Sequence, residues 1–333
     1  MNVNYLFSLL VVVALLLFAW VGAGVWEMKY LFGVFIPYAA LITFAMGVIL
    51  RIIDWARSPV PFRIPTTCGQ QQSLPWIKQN QIDNPSTVWG VIVRMLLEIL
   101  CFRSLFRNIK MEFNAGKRIA YEWEKWLWLA ALAFHWSFLA VLVRHLRFFT
   151  EPVPCVIQLL ENVDSIMQIG LPVLFLSGFV LLAAATYLFI RRVVIPQVRY
   201  ISLPADYFPL FLIMAIAITG MFMRYLTKVD IVRIKELTMG LVTLQPTIPD
   251  GVGTLFFVHL FLVCILFAYF PFSKLMHFGG VFMSPTRNLI NNNRAVRHVN
   301  PWNYPVKVHS YEAYENEFRD RMIEAGLPVD KKE

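Results

Sequence analysis

Apolar residues fall into six long blocks, separated by polar stretches of very unequal length. A helix that crosses a bilayer needs about 20 consecutive, mostly apolar residues. Residues 5–26, 31–50, 126–143, 166–190, 207–223 and 252–273 fit that requirement, the third running on to about Phe149. The first and fourth blocks hold no charged residue, and His259 is the only acidic or basic side chain of the sixth. The first block lacks a basic leader, has a long apolar core and is followed at once by the second, so it reads as a retained span rather than a cleaved signal. The pattern predicts an all-α integral membrane bundle of six transmembrane helices.

Two stretches depart from it. Residues 54–125 form a long polar insertion. Within it, residues 88–102 are apolar but carry Arg94 and Glu98 one turn apart on one face. This segment is too short and too charged to span. It predicts an amphipathic helix in the membrane interface, followed by basic Arg103, Arg107 and Lys110. Pro59, Pro61 and Pro65 predict extended chain before it. Residues 279–333 are a polar tail with a helical pattern over 311–325 and too few apolar residues for a core of their own. The expected organisation is two N-terminal spans (1–53), a cytoplasmic insertion (54–125), a four-helix core (126–278) and a cytoplasmic tail (279–333) that docks a partner subunit.

Composition agrees. Of 333 residues, 58% are hydrophobic and 15% charged, with a mean hydropathy of +0.59; soluble domains are about 25% charged. The net charge is +9, and on the topology above only Lys29, Arg144, Arg147, Arg224, Lys228, Arg233 and Lys235 of the 30 basic residues face outward. Basic loops stay in the cytoplasm, so both termini are expected there and the protein in the cytoplasmic membrane. The positive charge is therefore a topology signal in a lipid bilayer, with no nucleic acid implied. Cys68, Cys101, Cys155 and Cys264 form no C-x-x-C pair, which argues against a zinc or iron–sulfur site within this chain and against a disulfide framework. Cys264 reads as a small core residue.

Four histidines carry the chemistry. His135 and His145 lie ten residues apart in the third block, and His259 and His277 eighteen apart at the sixth. An ionisable side chain inside a membrane is costly and is usually functional. Along a helix these separations are ~15 Å and ~27 Å, and eighteen residues are five whole turns. Two histidines on one helix cannot grip one iron from opposite sides, so each iron must bridge the two helices. The helices run antiparallel. His145 therefore pairs with His259 near the outer face, and His135 with His277 towards the inner face. Two haems b stacked roughly 20 Å apart would follow, each with both axial positions filled and fit to conduct electrons rather than bind substrate. His298 and His309 lie in the polar tail and read as surface residues.

A quinol at the outer face must shed electrons and protons, so an acid or base is expected beside the outer haem. The loop from Arg144 to Asp164 offers Glu151 and Asp164 as proton acceptors, with Gln168 just beyond. Arg144 and Arg147 are suited to haem propionates or lipid phosphates.

The histidine spacings, together with residues 272–288 (FSKLMHFGGVFMSPTRN), resemble the cytochrome b subunits of respiratory nitrate reductases, the NarI-like family. SPTRN at 284–288, NNNR at 291–294, TCGQQQSLPW at 67–76 and FRSLFRN at 102–108 are similar to the DsrM branch, the cytochrome b subunits of a membrane complex linked to dissimilatory sulfite reductase. The resemblance implies two haems b on His135, His145, His259 and His277, and menaquinol (menaquinone when oxidised) as the lipid-side partner. It implies a cytoplasmic iron–sulfur subunit of the DsrK type, similar to the catalytic subunit of heterodisulfide reductase, with further membrane and periplasmic subunits. Nitrate-reductase subunits typically have five spans, whereas six are expected here with a large insertion. The expected function is menaquinol oxidation and electron transfer as one subunit of a redox enzyme of sulfur metabolism. The alternatives are a cytochrome b of another NarI-like oxidoreductase, serving nitrate or heterodisulfide reduction, a haem-free anchor for soluble subunits, or a haem-free transporter that uses the histidines.

Overall fold

The computed structural model describes residues 3–58, 60, 69–114, 118–167, 172–297 and 309–330. Pro59, Pro61, Pro65, Cys68, Gln168 and His298 lie outside the described residues. Six helical segments are long and apolar enough to cross a membrane: Asn4–Val25, Leu31–Ala56, Lys125–Phe148, Leu176–Val194, Pro204–Thr227 and Thr254–Phe272. The first is α1 (Asn4–Trp20) closed by a wide turn, Val21–Val25; its mirror, Leu31–Phe35, opens α2 (Ile36–Ala56). Each span follows its apolar block because a helix satisfies all its backbone polar groups internally, as hydrocarbon demands.

The insertion contains α3 (Val88–Cys101), capped by the Thr87 hydroxyl, which accepts from the Gly90 amide. Its end is set by Phe102 in the left-handed region (φ 50°). A short α4 (Arg103–Phe106) follows. Then β1 (Ile109–Asn114) and β2 (Arg118–Trp123) pair as an antiparallel ribbon, with Ile109 opposite Trp123. The third span is α5 (Lys125–His145). The next connection holds α6 (Cys155–Asp164) and a pairing of β3 (Ser165–Met167) with β4 (Leu174–Phe175). Consequently the fourth span, α7 (Leu176–Val194), starts ten residues later than the apolar block suggested. Pro172 lacks an amide hydrogen and cannot donate to a helical ladder, and β3 and β4 use part of the apolar stretch from 166 as strand.

After α8 (Pro196–Ile201) come α9 (Pro204–Phe222) with its extension to Thr227, then α10 (Ile231–Val242). The last span is α11 (Thr254–Tyr269). It does not continue to His277. A 3-10 turn, Phe270–Phe272, leads into extended Ser273 (φ −118°, ψ 176°), a second 3-10 turn, Lys274–Met276, and then α12 (His277–Met283). Pro271 cannot donate to the helical ladder, and the Ser273 hydroxyl starts the next turn by accepting from the Leu275 amide. The tail ends in α13 (Tyr311–Glu324).

α5 packs along α7, α7 along α9, α9 along α1 and α11, and α11 along α1 and α2. The two histidine-bearing spans, α5 and α11, are not one of these packed pairs. The apolar core lies between α1, α9, α11 and α10, around Val12, Phe32, Leu212, Leu237, Phe257 and Leu262. α3 is tied to α5 by two tryptophans: Trp128 Nε1 donates to the Cys101 carbonyl (2.7 Å) and Trp136 Nε1 to that of Leu100 (3.1 Å). The first part of the tail folds back on the insertion. The Asn291 amide donates to the Pro85 carbonyl (2.8 Å), its side chain donates to Asn84 Oδ1 (2.8 Å), and Arg287 pairs with Glu98 (3.3 Å). Asn84 and Asn291 are fully buried there, so each must find its partner inside the protein.

Candidate functional site

His135 and His277 meet across α5 and α12, and His145 of α5 lies within electrostatic reach of His259 of α11. His135, midway along α5, faces His277, the first residue of α12; their ring centres are 5.8 Å apart with planes at 85°. Imidazole–metal bonds are about 2 Å long, so two rings gripping one ion from opposite sides have centres about 6 Å apart. His145, at the last turn of α5, lies within electrostatic reach of His259 on the second turn of α11. The helix break after Tyr269 replaces the five straight turns expected between His259 and His277. The pairing is therefore set by the broken segment, which brings His277 to the level of His135.

The hydrogen bonds assign the ring nitrogens. Nδ1 of His135 lies 2.7 Å from the Ala131 carbonyl, Nδ1 of His145 2.6 Å from that of Val141, and Nδ1 of His277 2.8 Å from that of Lys274. A carbonyl only accepts, so each Nδ1 carries the proton. His259 uses a neighbouring helix: its Nδ1 is 2.9 Å from Thr219 Oγ1 on α9. The Thr219 hydroxyl hydrogen is directed at the Ala215 or Ile216 carbonyl (2.8 and 3.1 Å), so the oxygen is left to accept from His259. Among the described residues none of the four Nε2 atoms has a hydrogen-bond partner, so its lone pair remains for a ligand. Metal-bound histidines characteristically donate their second nitrogen in this way, which fixes the ring and raises its basicity. This donor set fits two haem irons, each with two axial imidazoles.

Small and aromatic residues shape the pairs. An added Cβ at Gly220 would approach His259 Cε1 to 3.1 Å, so glycine leaves the ring its place on α9. Phe102, at the left-handed corner between α3 and α4, meets His135 edge-on at 4.9 Å. The amphipathic helix thus reaches the inner pair.

Beside His145 stands a polar cluster. Arg144 Nε lies 2.9 Å from Asp164 Oδ2, and both side chains are about nine-tenths buried. Asp164 also accepts from the Ser177 amide and hydroxyl, each at 2.7 Å. Arg144 and Arg224 both lie on the Phe175 ring, at 3.9 and 4.0 Å, and Arg224 donates to the Val173 carbonyl. Arg147 pairs with Glu161 (2.8 Å), and Glu151 with Lys235 of α10. Of the residues expected to serve a quinol, Asp164 comes next to the outer pair through Arg144. Glu151 is held at the surface by Lys235, and Gln168 lies outside the described residues. Arg144 and Arg147, expected to meet propionates or phosphates, each hold a carboxylate of this chain.

A profile of the family described as nitrate reductase gamma subunit matches residues 86–299. The chain belongs to that family. Its matched region takes in all four histidines and runs from α3 into the tail. The chain is also 46% identical over 279 residues to the Hdr-like menaquinol oxidoreductase cytochrome b-like subunit of Archaeoglobus fulgidus, covering 82% of this chain and 83% of that one. The same-named subunit of Archaeoglobus profundus is 42% identical over 275 residues, 80% and 81% of the two chains. This gamma-family member thus carries His135, His145, His259 and His277 in the region that the family profile matches.

The sequence reading of this family core missed several supporting residues. Thr219, Gly220, Ser177 and Arg224 act across helices and belong to no local motif. The signal that could have found Thr219 and Ser177 is a hydroxyl within an apolar span, which must find an acceptor.

Proposed function

We propose that this chain is the haem-bearing electron-transfer subunit of a menaquinol oxidoreductase, oxidising menaquinol near the outer face and passing electrons inward to a cytoplasmic iron–sulfur subunit. The observation that supports the reading is the set of four imidazoles, His135 facing His277 and His145 near His259, each with Nδ1 hydrogen-bonded and, among the described residues, no partner at Nε2. His145 and His259 would hold the outer haem b, and His135 and His277 the inner one. Bound there, each haem supplies a one-electron carrier whose axial positions are both filled by protein.

The residues of the chain do the rest. Ala131, Val141, Lys274 and Thr219 fix the tautomer and plane of each ring. Phe102, at the end of α3, packs edge-on against His135 of the inner pair. At the outer face Asp164, held by Arg144 and Ser177 beside His145, and surface-exposed Glu151 would pass protons towards water. Gln168 completes the quinol candidates. Arg144 and Arg147 retain donors beyond their carboxylate partners with which to meet propionates or phosphates. The basic end of the bundle, where insertion and tail lie together, is the cytoplasmic face on which the iron–sulfur subunit docks, with both termini on that side of the cytoplasmic membrane.

The names of both relatives carry the Hdr-like designation, which supports an acceptor of the heterodisulfide-reductase type. The SPTRN, NNNR and TCGQQQSLPW runs favour the narrower DsrM-type setting in sulfur metabolism, with further membrane and periplasmic subunits. Redox-titrated absorbance of the purified protein tests the central reading. Two b-type haems per chain are expected. His145→Ala and His259→Ala should remove one signal, and His135→Ala and His277→Ala the other. Absence of haem, or loss of different signals within a pair, would reject it. Reduction of both signals by a menaquinol analogue tests the substrate, and co-purification with a DsrK-like subunit tests the narrower setting.

A further inference from the structure

We infer that Lys274 and Asp206 form a clamp that positions His277 against His135, an inference that rests on the ligation proposed above. His277 is not carried by a long helix. Extended Ser273 cuts it off from α11, and it is presented by the single 3-10 turn Lys274–Met276 and the seven residues of α12. A lone 3-10 turn has poor hydrogen-bond geometry and little stability of its own. Something outside it must fix the ring.

Lys274 does so twice. Its carbonyl accepts from His277 Nδ1 at 2.8 Å, and its ammonium reaches Asp206 Oδ1 on α9 at 2.6 Å. No other histidine of the four takes its backbone acceptor from a residue that is itself pinned, among the described contacts, to a different span. The carboxyl group is 7% exposed, and Arg192 stands 4.0 Å from its other oxygen. Asp206 Oδ2 accepts from the Leu203 amide (3.0 Å) and so is fixed by the start of α9. The carboxylate is thus fixed by α9, while the Lys274 side chain that reaches it is 73% exposed. On the other side of the break, Pro271 sits against α2 at Gly47, where an added Cβ would come within 2.6 Å of it. The turn is therefore held from both ends, and the Lys274 end is the one bonded to the ligand ring. Lys274 is a positioning residue: it sets the plane of the inner imidazole and ties it to α9.

The test compares full-length wild type, Lys274→Ala, Lys274→Arg and Asp206→Asn, purified with their haems. Asparagine at 206 keeps the oxygen that caps α9 while losing the charge. Haems per chain and the low-temperature electron paramagnetic resonance signal of each low-spin haem are read. Lys274→Ala and Asp206→Asn should shift or broaden the inner signal and lower its occupancy at least twofold, leaving the outer signal intact; Lys274→Arg should restore it. An inner signal and occupancy equal to wild type in both variants would overturn the clamp alone. Equal loss of both signals in Lys274→Ala marks a general structural role and overturns it too. A wild-type preparation without haem overturns the ligation itself, and the clamp with it.

Discussion

Thr219→Val isolates the side-chain hydrogen bond by which α9 orients a proposed outer ligand. Valine keeps the shape and removes the acceptor for His259 Nδ1, now 2.9 Å away. A net hydrogen bond is worth about 0.5–1.5 kcal/mol. Donation from Nδ1 makes the imidazole a stronger ligand, and the oxidised iron gains most from that. If the whole loss falls on the oxidised form, the outer haem's potential rises by about 20–60 mV, since one electron gives about 59 mV per tenfold change in affinity. The Ile216 carbonyl is a second acceptor for the same ring, which favours the lower half, about 20–40 mV. The assay is a redox titration that resolves both haems by absorbance. The outer potential should rise and the inner one stay where it is. An unmoved outer potential in a folded, fully loaded variant, or equal shifts in both haems, would refute the reasoning.

Gly220→Ala places a methyl 3.1 Å from His259 Cε1; the ring must give by a few tenths of an ångström, and the outer haem's resonance signal should change while the inner one does not. Asp164→Ala leaves Arg144 buried without its carboxylate (side chains 11% and 8% exposed), and should cost about 3–5 kcal/mol, read as a large drop in thermal stability in detergent. Gly47→Ala drives a methyl into Pro271 and should cost about 1–3 kcal/mol of overpacking, whereas an unchanged melting temperature would show that α2 and α11 separate freely. Asp83 lies under Arg103 and Arg107. Burial alone would raise its pKa, but hydrogen bonds from Arg107 and then Arg103, with their charges, bring it below the ordinary value. Its contribution is therefore complete above about pH 4 and is lost as pH falls through the lowered folded value. Limited proteolysis of the insertion against pH should show this acid limb, and Asp83→Asn should flatten it.

The outer-face elements illustrate what linear reading cannot reach. α6 and α10 are short, and neither has an apolar run long enough to register as a span. What holds them is distant: Arg147 for Glu161, Phe148's carbonyl for Thr238, Glu151 for Lys235. β1 and β2 were likewise hidden, because a two-stranded ribbon carries little local signal. α3 was legible, running Val88–Cys101 as the pattern of residues 88–102 required, because amphipathic spacing and a capping threonine are local properties. The tail helix was legible for the same reason, with Ser310 as its cap.

The break after Tyr269 carried its own signal, Pro271, but the aromatic residues around it kept the run apolar, and a hydropathy window measures length and apolarity rather than backbone continuity. By itself, then, the sequence determined that six long apolar helices form and that the third bears two histidines and the sixth one, with His277 just beyond it. These follow from hydrocarbon thickness and helix rise, which act locally. Only the tertiary structure decided that His277 sits on a separate turn, that its ring nitrogen is governed from α9 through Lys274, and that Thr219 holds His259. Those are contacts between residues distant in the chain, and their existence depends on how the spans pack.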